Sequence, residues 1–217
     1  LSFKDGFGRE LDELIPKLEK RKINACTICG TVRRRLLNEK ALELKADKLA
    51  IGHNLDDQSQ TFLANIMRND IRKIKLNPPQ GNVLDSLNNF VPRIKPLMEI
   101  PEKEITLYCY YKKIPIQTSP CPYIKGFSIF RKKIQNFLNQ IEDNSPEIKY
   151  NLLNANKTLN KKLSERCREK IDFAKNGKTS KSPKSVEYNL CGKCGSPCGH
   201  KRSICYFCEL QRSLGIN

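Results

Sequence analysis

The sequence of 217 residues contains no apolar run near the roughly 20 residues that a membrane-spanning helix needs, which excludes an integral membrane protein. Its first ten residues, LSFKDGFGRE, hold no apolar stretch of the signal-peptide kind, and they begin without Met. We therefore expect an N-terminally truncated piece of a longer protein. No internal repeat of fixed period is present.

Acidic residues are scarce: 23 Asp and Glu stand against 40 Lys and Arg, which gives a formal net charge of +17. The excess is greatest toward the C-terminus, where residues 125–217 carry 19 basic and 8 acidic side chains. A field this positive usually indicates a polyanionic partner, most often nucleic acid. The alternative is a lysine-rich composition that merely covers solvated faces, since lysine is mostly exposed in any protein.

Cysteine is abundant, with ten residues, and most of the cysteines are closely paired. CxxC pairs without a signal peptide are typical of a reduced, cytoplasmic protein that uses thiolates to bind metal, rather than of a disulfide framework. The pairs are Cys26/Cys29, Cys191/Cys194 and Cys205/Cys208.

Two of these pairs lie close together in the segment CGKCGSPCGHKRSICYFC. Four thiolates without a carboxylate suit Zn²⁺ in a closed structural site, while Cys198 and His200 are spare donors between the pairs. Because such a module is too small for a core of its own, the metal would supply its folding energy, and chelation should unfold it without unfolding the rest. Nearby basic side chains could also contact a phosphate backbone. The predicted zinc ligands are Cys191, Cys194, Cys205 and Cys208.

Apolar periodicity predicts helices that alternate with short strands, the rhythm of a parallel α/β sheet. Strands are predicted at 47–52 and 114–117, a turn at 26–30, a loop at 76–92 and a basic linker at 175–184. Helices are predicted over 9–21, 32–45, 55–67, 101–113, 127–141 and 149–175.

Residues 52–57 read GHNLDD, directly after a predicted strand. Ligands of an open α/β sheet bind at the carboxyl ends of strands, and Gly52 would let a ligand approach the backbone closely. Asp56 and Asp57 would begin the next helix, where a carboxylate favours the helix dipole and could hold Mg²⁺. The alternative is that Asn54 or Asp56 simply caps the helix.

Cys26 and Cys29 lie at the start of a predicted helix, a position that lowers a thiol pKa for redox or metal chemistry. Cys121, between two prolines in the loop TSPCPY, is a candidate third ligand. Three thiolates at a strand-end cleft suit an iron–sulfur cluster with one open iron. Cys109 and Cys167 stand on predicted helices and are expected to be ordinary core or surface cysteines.

Four segments carry a family resemblance: CTICGTVRRRLLNEKALELKADKLAIGHNLDDQSQTFLANIMRND, RIKPLMEIPEKEITLYCYYKKIPI, SPCPY, and two CxxC pairs ten residues apart. Together they resemble the TtuA/TtcA family of tRNA 2-thiolation enzymes, in its archaeal and eukaryotic cytosolic branch. The resemblance covers nearly all of the chain. It implies an α/β fold with three parts. These are the C-terminal part of a PP-loop ATP-pyrophosphatase (adenine nucleotide alpha hydrolase-like) parallel-sheet domain at 1–145, a basic helical segment and linker at 146–184, and a zinc ribbon at 185–217.

The resemblance implies an enzyme that uses ATP and Mg²⁺ to adenylate the C2 oxygen of a tRNA uridine, and that replaces this oxygen by sulfur through a 4Fe–4S cluster. Cys26, Cys29 and Cys121 would hold the cluster. The family's PP-loop motif SGGxDS does not occur in this sequence, so we do not expect the chain to adenylate a substrate unaided. Arg33 stands where the family often has Lys, which is not equivalent to Arg. Arg33 and Asp57 would be catalytic with the three cysteines, and the implied nucleotide-site residues are Arg33, Gly52, His53, Asp56 and Asp57.

The implied partner is tRNA, and the basic run Arg131, Lys132 and Lys133 is its expected contact face. A ubiquitin-like sulfur carrier and a homodimer are left open, no membrane association is expected, and the expected location is the cytoplasm. Two alternatives are kept. A non-catalytic zinc-ribbon RNA-binding protein would explain the charge and the C-terminal cysteines, but not GHNLDD. A PP-loop ligase without a cluster would not need Cys121.

Overall fold

The structure, a computed structural model, describes residues 2–76, 90–117, 119, 121–123, 127–176, 189–198 and 202–216. The predicted loop at 76–92 and the predicted linker at 175–184 lie mostly outside these residues, as do His200 and the side chain of Cys167. Within them, no helix combines the length and the apolar character that crossing a membrane requires.

Three helices begin the chain: α1 (Phe3–Phe7), α2 (Leu11–Lys20) and α3 (Ala25–Glu43). The sequence does not predict α1, because five residues are too few to show a helical period. A capping box between Ser2 and Asp5 stabilises its first turn.

The start of α3 corrects the predicted turn at 26–30. The Asn24 side chain accepts a hydrogen bond from the backbone N–H of Cys26 at 2.8 Å and so caps a helix that begins at Ala25. The turn prediction is wrong because Gly30 lies inside this helix and does not end it. Cys26 and Cys29 consequently stand three residues apart near the N-terminus of α3, on one face.

A two-stranded parallel sheet follows. Strand β1 (Leu49–Ala50) pairs with β2 (Arg93–Ile94), with Leu49 opposite Arg93 and Ala50 opposite Ile94. The helices α4 (Leu55–Met67) and α5 (Ile71–Leu76) follow β1 in the chain, which agrees with the helix–strand–helix order expected of an α/β fold.

Three further helices agree with the predicted segments: α6 (Glu102–Tyr111), α7 (Phe127–Glu142) and α8 (Ile148–Asn176). The strand predicted at 114–117 is wrong. These residues form neither helix nor strand, because within the described chain they have no strand to pair with.

The C-terminal module is a small antiparallel ribbon followed by a helix. Strand β3 (Asn189–Leu190) pairs with β4 (Pro197–Cys198), and α9 (Tyr206–Leu214) begins at the second CxxC pair of the module. Gly215 ends α9 in the left-handed conformation, with φ of 68°, which a glycine adopts at little cost.

The main buried core joins the two ends of the chain, and we call it the terminal core. It combines the apolar faces of α1, α2 and α3 with the inner side of the ribbon and of α9. The rings of Phe7 and Phe207 meet edge to face, with centroids 5.5 Å apart. Its buried members are Phe7, Leu14, Leu18, Ile28, Val32, Cys191, Cys198, Cys205, Phe207, Cys208, Leu210, Leu214 and Ile216.

A second, smaller core lies between α4, α7 and α8. Ala64, Ile134 and Leu138 are its buried members, and Phe130 and Leu152 pack against them. The amphipathic pattern of α7 therefore buries its apolar face against α4, as the helical period predicts.

We predict that Leu14→Ala destabilises the protein by about 2–5 kcal/mol, because Leu14 is fully buried in the terminal core and its removal leaves a cavity. Urea unfolding followed by circular dichroism measures this change. The matched control, Leu44→Ala, removes a leucine that is 68% exposed and should change stability by no more than about 0.5 kcal/mol. Equal effects of the two substitutions would contradict the assignment of Leu14 to the core.

Candidate metal centre and catalytic cleft

The ribbon gathers four thiols into one site. The sulfurs of Cys191, Cys194, Cys205 and Cys208 all lie within 4.8 Å of one another, and those of Cys194 and Cys205 are 3.6 Å apart. Tetrahedral Zn–S bonds of about 2.3 Å place sulfurs at roughly this separation. The donor set and its spacing therefore fit a closed structural zinc site.

Local backbone geometry explains how the two CxxC pairs face each other. Gly195 adopts φ of 67°, a conformation that favours glycine, and its N–H donates to the carbonyl of Cys191 at 2.8 Å. This turn closes the first pair. In the second pair, Cys205 caps α9, where its sulfur accepts from the N–H of Cys208 at 3.5 Å. Each turn thus points two sulfurs toward one position.

Hydrogen bonding favours the thiolate form at Cys194. Burial acts to raise the pKa of this thiol, but hydrogen bonds from the backbone and side chain of Ser196 outweigh it and lower the pKa to about 6. Burial, together with hydrogen bonds to Cys194 and Cys205, raises the pKa of Cys208. The thiolate is the form that binds metal, so Cys194 is already close to its binding form at neutral pH.

Cys198 lies outside the four-thiol group, and its side chain is hydrogen-bonded to the backbone of the ribbon. Its sulfur lies 3.1 Å from the carbonyl oxygens of Asn189 and of Arg202, to which the S–H donates. Burial raises the pKa of this thiol. Its position therefore fits a neutral thiol whose hydrogen bonds connect the segments that contain Asn189 and Arg202.

Arg35 connects α3 to the ribbon. Its guanidinium donates to the sulfur of Cys194 at 3.2 Å and to the hydroxyl of Ser196, and it lies over the Phe207 ring at 5.5 Å from the centroid. The sequence does not reveal this contact, because nothing in the run Arg33, Arg34 and Arg35 indicates which arginine faces a site 159 residues away.

The first CxxC pair and the Cys121 loop approach the same corner of the molecule. Tyr123 donates its hydroxyl hydrogen to Asp12, and it lines a cavity of about 310 Å³ with Asn24 and Ala25, directly before Cys26. Cys26 and Cys29 are half-buried and Cys121 is exposed. In the part of the chain that the structure describes, only the ribbon thiols lie within 4.8 Å of one another as a metal-ligating group. A 4Fe–4S cluster requires a wider spacing than this, about 6–7 Å between its cysteine sulfurs.

The carboxyl ends of β1 and β2 form a basic cleft around one carboxylate. Asp57 and Asn54 make a capping box at the start of α4, and Asp57 also pairs with Arg131. A Cβ at Gly52 would meet no atom within 4 Å, so the space above this strand end is open. Lys95, which follows β2, donates to Gln58 at 3.3 Å.

His53 reports on the charges of this cleft. Partial desolvation lowers the pKa of His53, although its surface is exposed to solvent, and the positive charges of Lys95, Arg131 and Arg33 lower it further, while Asp57 acts to raise it. Burial, with the charge of Arg93, lowers the pKa of Lys95 to about 8. The five side chains thus share one electrostatic environment, and it is predominantly positive.

Asp56 faces the opposite way from Asp57. It is 4% exposed, one oxygen binds Lys149 at 2.5 Å, and the other accepts the N–H of Glu102 at 2.7 Å. Burial acts to lower the pKa of Lys149, but its hydrogen bonds to Asp56 and Glu142 raise it overall. Both oxygens of Asp56 are thus used inside the protein, and of the GHNLDD carboxylates only Asp57 faces the cleft.

No profile of a known protein family matches the chain. Comparison with individual proteins gives clear relatives. The chain is 32% identical over 219 residues to the tRNA 2-thiolation protein NcsA of Haloferax volcanii, which covers 99% of the chain and 62% of the relative. It is 34% identical over 212 residues to a probable sulfurtransferase of Methanocaldococcus jannaschii, which covers 96% of the chain and 54% of the relative.

Among solved structures, the chain is similar to the U34-tRNA thiolase NcsA from Methanococcus maripaludis with its [4Fe-4S] cluster. The TM-score is 0.71 at 30% identity, covering 100% of the chain and 60% of that structure. This chain is related to the tRNA 2-thiolation proteins. The resemblance drawn from the sequence is thereby confirmed, and the chain spans 62% and 54% of the lengths of these two curated relatives.

The sequence does not indicate Lys95 or Lys149, and it does not show what Arg131 contacts. Lys95 follows a short strand that has no distinctive sequence motif. Its place in the cleft follows from the parallel pairing of β2 with β1. Arg131 pairs with Asp57 and donates to Gln60, and its contact with tRNA stays a prediction. Lys149 is a buried cation that the pattern of a solvated helix does not reveal.

We predict that the NMR titration midpoint of His53 lies below 6.5, rises in Lys95→Gln and falls further in Asp57→Asn. The unfolded chain then binds the His53 proton more tightly than the folded chain, so stability should fall as the pH drops below 6.5. Lys4→Gln, which removes a distant exposed charge, is the control and should leave the midpoint unchanged. A midpoint that ignores Lys95 and Asp57 would contradict the shared cleft.

Proposed function

We propose that the chain is part of a tRNA 2-thiolation enzyme. This enzyme would use ATP to adenylate the C2 oxygen of a tRNA uridine and would replace that oxygen by sulfur through a 4Fe–4S cluster. The observation that carries the proposal is the similarity of the whole chain, in fold and in sequence, to a U34-tRNA thiolase solved with its cluster. By the same similarity, the substrate is uridine 34.

Cys26, Cys29 and Cys121 are the proposed cluster ligands. The i, i+3 spacing on α3 presents two thiols on one face, and the contact between Tyr123 and Asp12 brings the Cys121 loop toward them. When bound, a cluster with three protein ligands leaves one iron open to carry sulfur. The protein's own part would be to hold these three thiols together.

The basic cleft is the proposed nucleotide site. Arg33, His53 and Lys95 would offset the negative charge of phosphates. Asp57 would face Mg²⁺ when its ion pair with Arg131 is broken. The open space above Gly52 leaves room for the nucleotide. Because the sequence contains no SGGxDS motif, the amides that would cradle the pyrophosphate are not proposed to come from this chain.

The ribbon is the proposed zinc site, with Cys191, Cys194, Cys205 and Cys208 as ligands. Its role is structural, since four protein ligands leave no open position on the metal. Thiols that must remain reduced to bind two kinds of metal favour the cytosol as the location. A ubiquitin-like sulfur carrier and a homodimer remain expectations of the family resemblance.

We predict that anaerobic reconstitution of the chain with iron and sulfide gives about four iron atoms per chain, and that Cys26→Ser and Cys121→Ser each lose most of them. Iron analysis and absorption spectroscopy measure this. The control, Cys109→Ser, removes a half-buried cysteine of α6 and should keep the iron. Cys194→Ser should lose zinc.

Iron that survives Cys121→Ser would contradict the three-thiol assignment. An enzyme that contains no iron and keeps its activity in Cys121→Ser would favour a PP-loop ligase without a cluster. A chain that binds zinc and tRNA but no iron would favour the non-catalytic RNA-binding alternative. Both alternatives lack iron, so enzyme activity separates them from each other.

A further inference from the structure

A basic cavity lies beside the terminal core, where α2 and α9 both end. We call it the α2–α9 cleft, and its volume is about 430 Å³. Lys17 spans it, with its ammonium 3.4 Å from the carbonyl oxygen of Leu214 at the C-terminus of α9. The cleft is lined by Lys17, Lys20, Arg21, Arg212, Ser213, Leu214 and Gly215.

The cleft is lined by cations, and several acids of α2 and α9 are paired with other residues. In the described chain no acidic side chain lines it. On α2, Glu13 pairs with Arg9 at 3.5 Å, and Asp12 accepts from Tyr123. On α9, Glu209 is held by Arg202 at 2.8 Å. The four cations are balanced in part by the C-termini of α2 and α9, and the remaining positive charge attracts an anion.

The cations are held on rigid supports. Leu14 and Leu18 on α2 and Leu214 on α9 are at most 3% exposed in the terminal core, so the two helix ends keep a fixed separation. Side chains carried by packed helices are positioned more accurately than those on loops. Arg21 and Arg212 supply two of the four positive charges, and each attracts phosphate as a cation.

We propose that the α2–α9 cleft binds phosphate groups of the tRNA backbone. This rests on the proposed function, which supplies tRNA as the polyanion. The exposed cations suit a backbone that is recognised by charge rather than by base sequence. The site is separate from the nucleotide cleft, and it gives the terminal core a second role, as the platform on which the RNA lies.

The test is fluorescence anisotropy of a labelled tRNA transcript, with the affinity measured at several salt concentrations. The triple variant Lys20→Gln/Arg21→Gln/Arg212→Gln should bind at least about tenfold more weakly. The slope of log affinity against log salt should be smaller by about 2, since each phosphate contact contributes roughly 0.7 for single-stranded nucleic acid. The matched control is Lys4→Gln/Lys112→Gln/Lys113→Gln, which removes the same charge from exposed positions elsewhere and should keep the slope.

A variant that preserves the charges, Lys20→Arg/Arg21→Lys/Arg212→Lys, should keep the affinity within about threefold, as a purely electrostatic backbone contact requires. Loss of tRNA binding in this variant would show that the substitutions disturb the fold rather than remove charge, and it would overturn the proposal. Equal losses in the cleft variant and the control variant would overturn it too, while leaving tRNA as a partner. If the unaltered chain binds no tRNA at any salt concentration, the proposed function itself fails.

Discussion

The packing of α1, α2 and α3 against the cysteine ribbon is the interaction on which the rest of the structure depends. Phe7 and Phe207 meet across this contact, and Arg35 reaches from α3 to the sulfur of Cys194. The helix whose first turns contain Cys26 and Cys29 therefore packs directly against the ribbon that holds the proposed zinc site. The ribbon is too small to form a core of its own, and its buried residues pack against these helices instead. Metal binding in the ribbon and the position of the first CxxC pair are therefore physically linked.

The basic cleft depends on a different constraint, the buried pairing of Asp56 with Lys149. This pair joins α4 to α8, and the second oxygen of Asp56 holds the first turn of α6. Removing one partner of such a pair leaves a buried charge and costs about 3–5 kcal/mol. Its structural value lies in orientation: with Asp56 fixed inward, Asp57 faces the cleft beside Arg131. Two adjacent carboxylates thus have separate tasks.

Long, regular features could be predicted from the sequence, and contacts between distant residues could not. The periods of α4, α6, α7 and α8 carried enough apolar residues to indicate their limits. The five residues of α1 did not, and the segment at 114–117 looked like a strand because pairing cannot be judged without its neighbour. The four ribbon thiols were evident from their spacing. The inward turn of Asp56 and the shared terminal core depend on tertiary packing, so nothing local in GHNLDD or in the CxxC turns specifies them.

The most direct test of the linked terminal core is hydrogen–deuterium exchange of the zinc-loaded chain before and after chelation. Protection of amides reports local opening. If the ribbon and α1–α3 share one core, chelation should lower protection in α2, α3 and α9 together, while α4, α7 and α8 keep theirs. Loss of protection confined to residues 189–216, with α3 unchanged, would contradict the account and would restore a ribbon that folds and unfolds by itself.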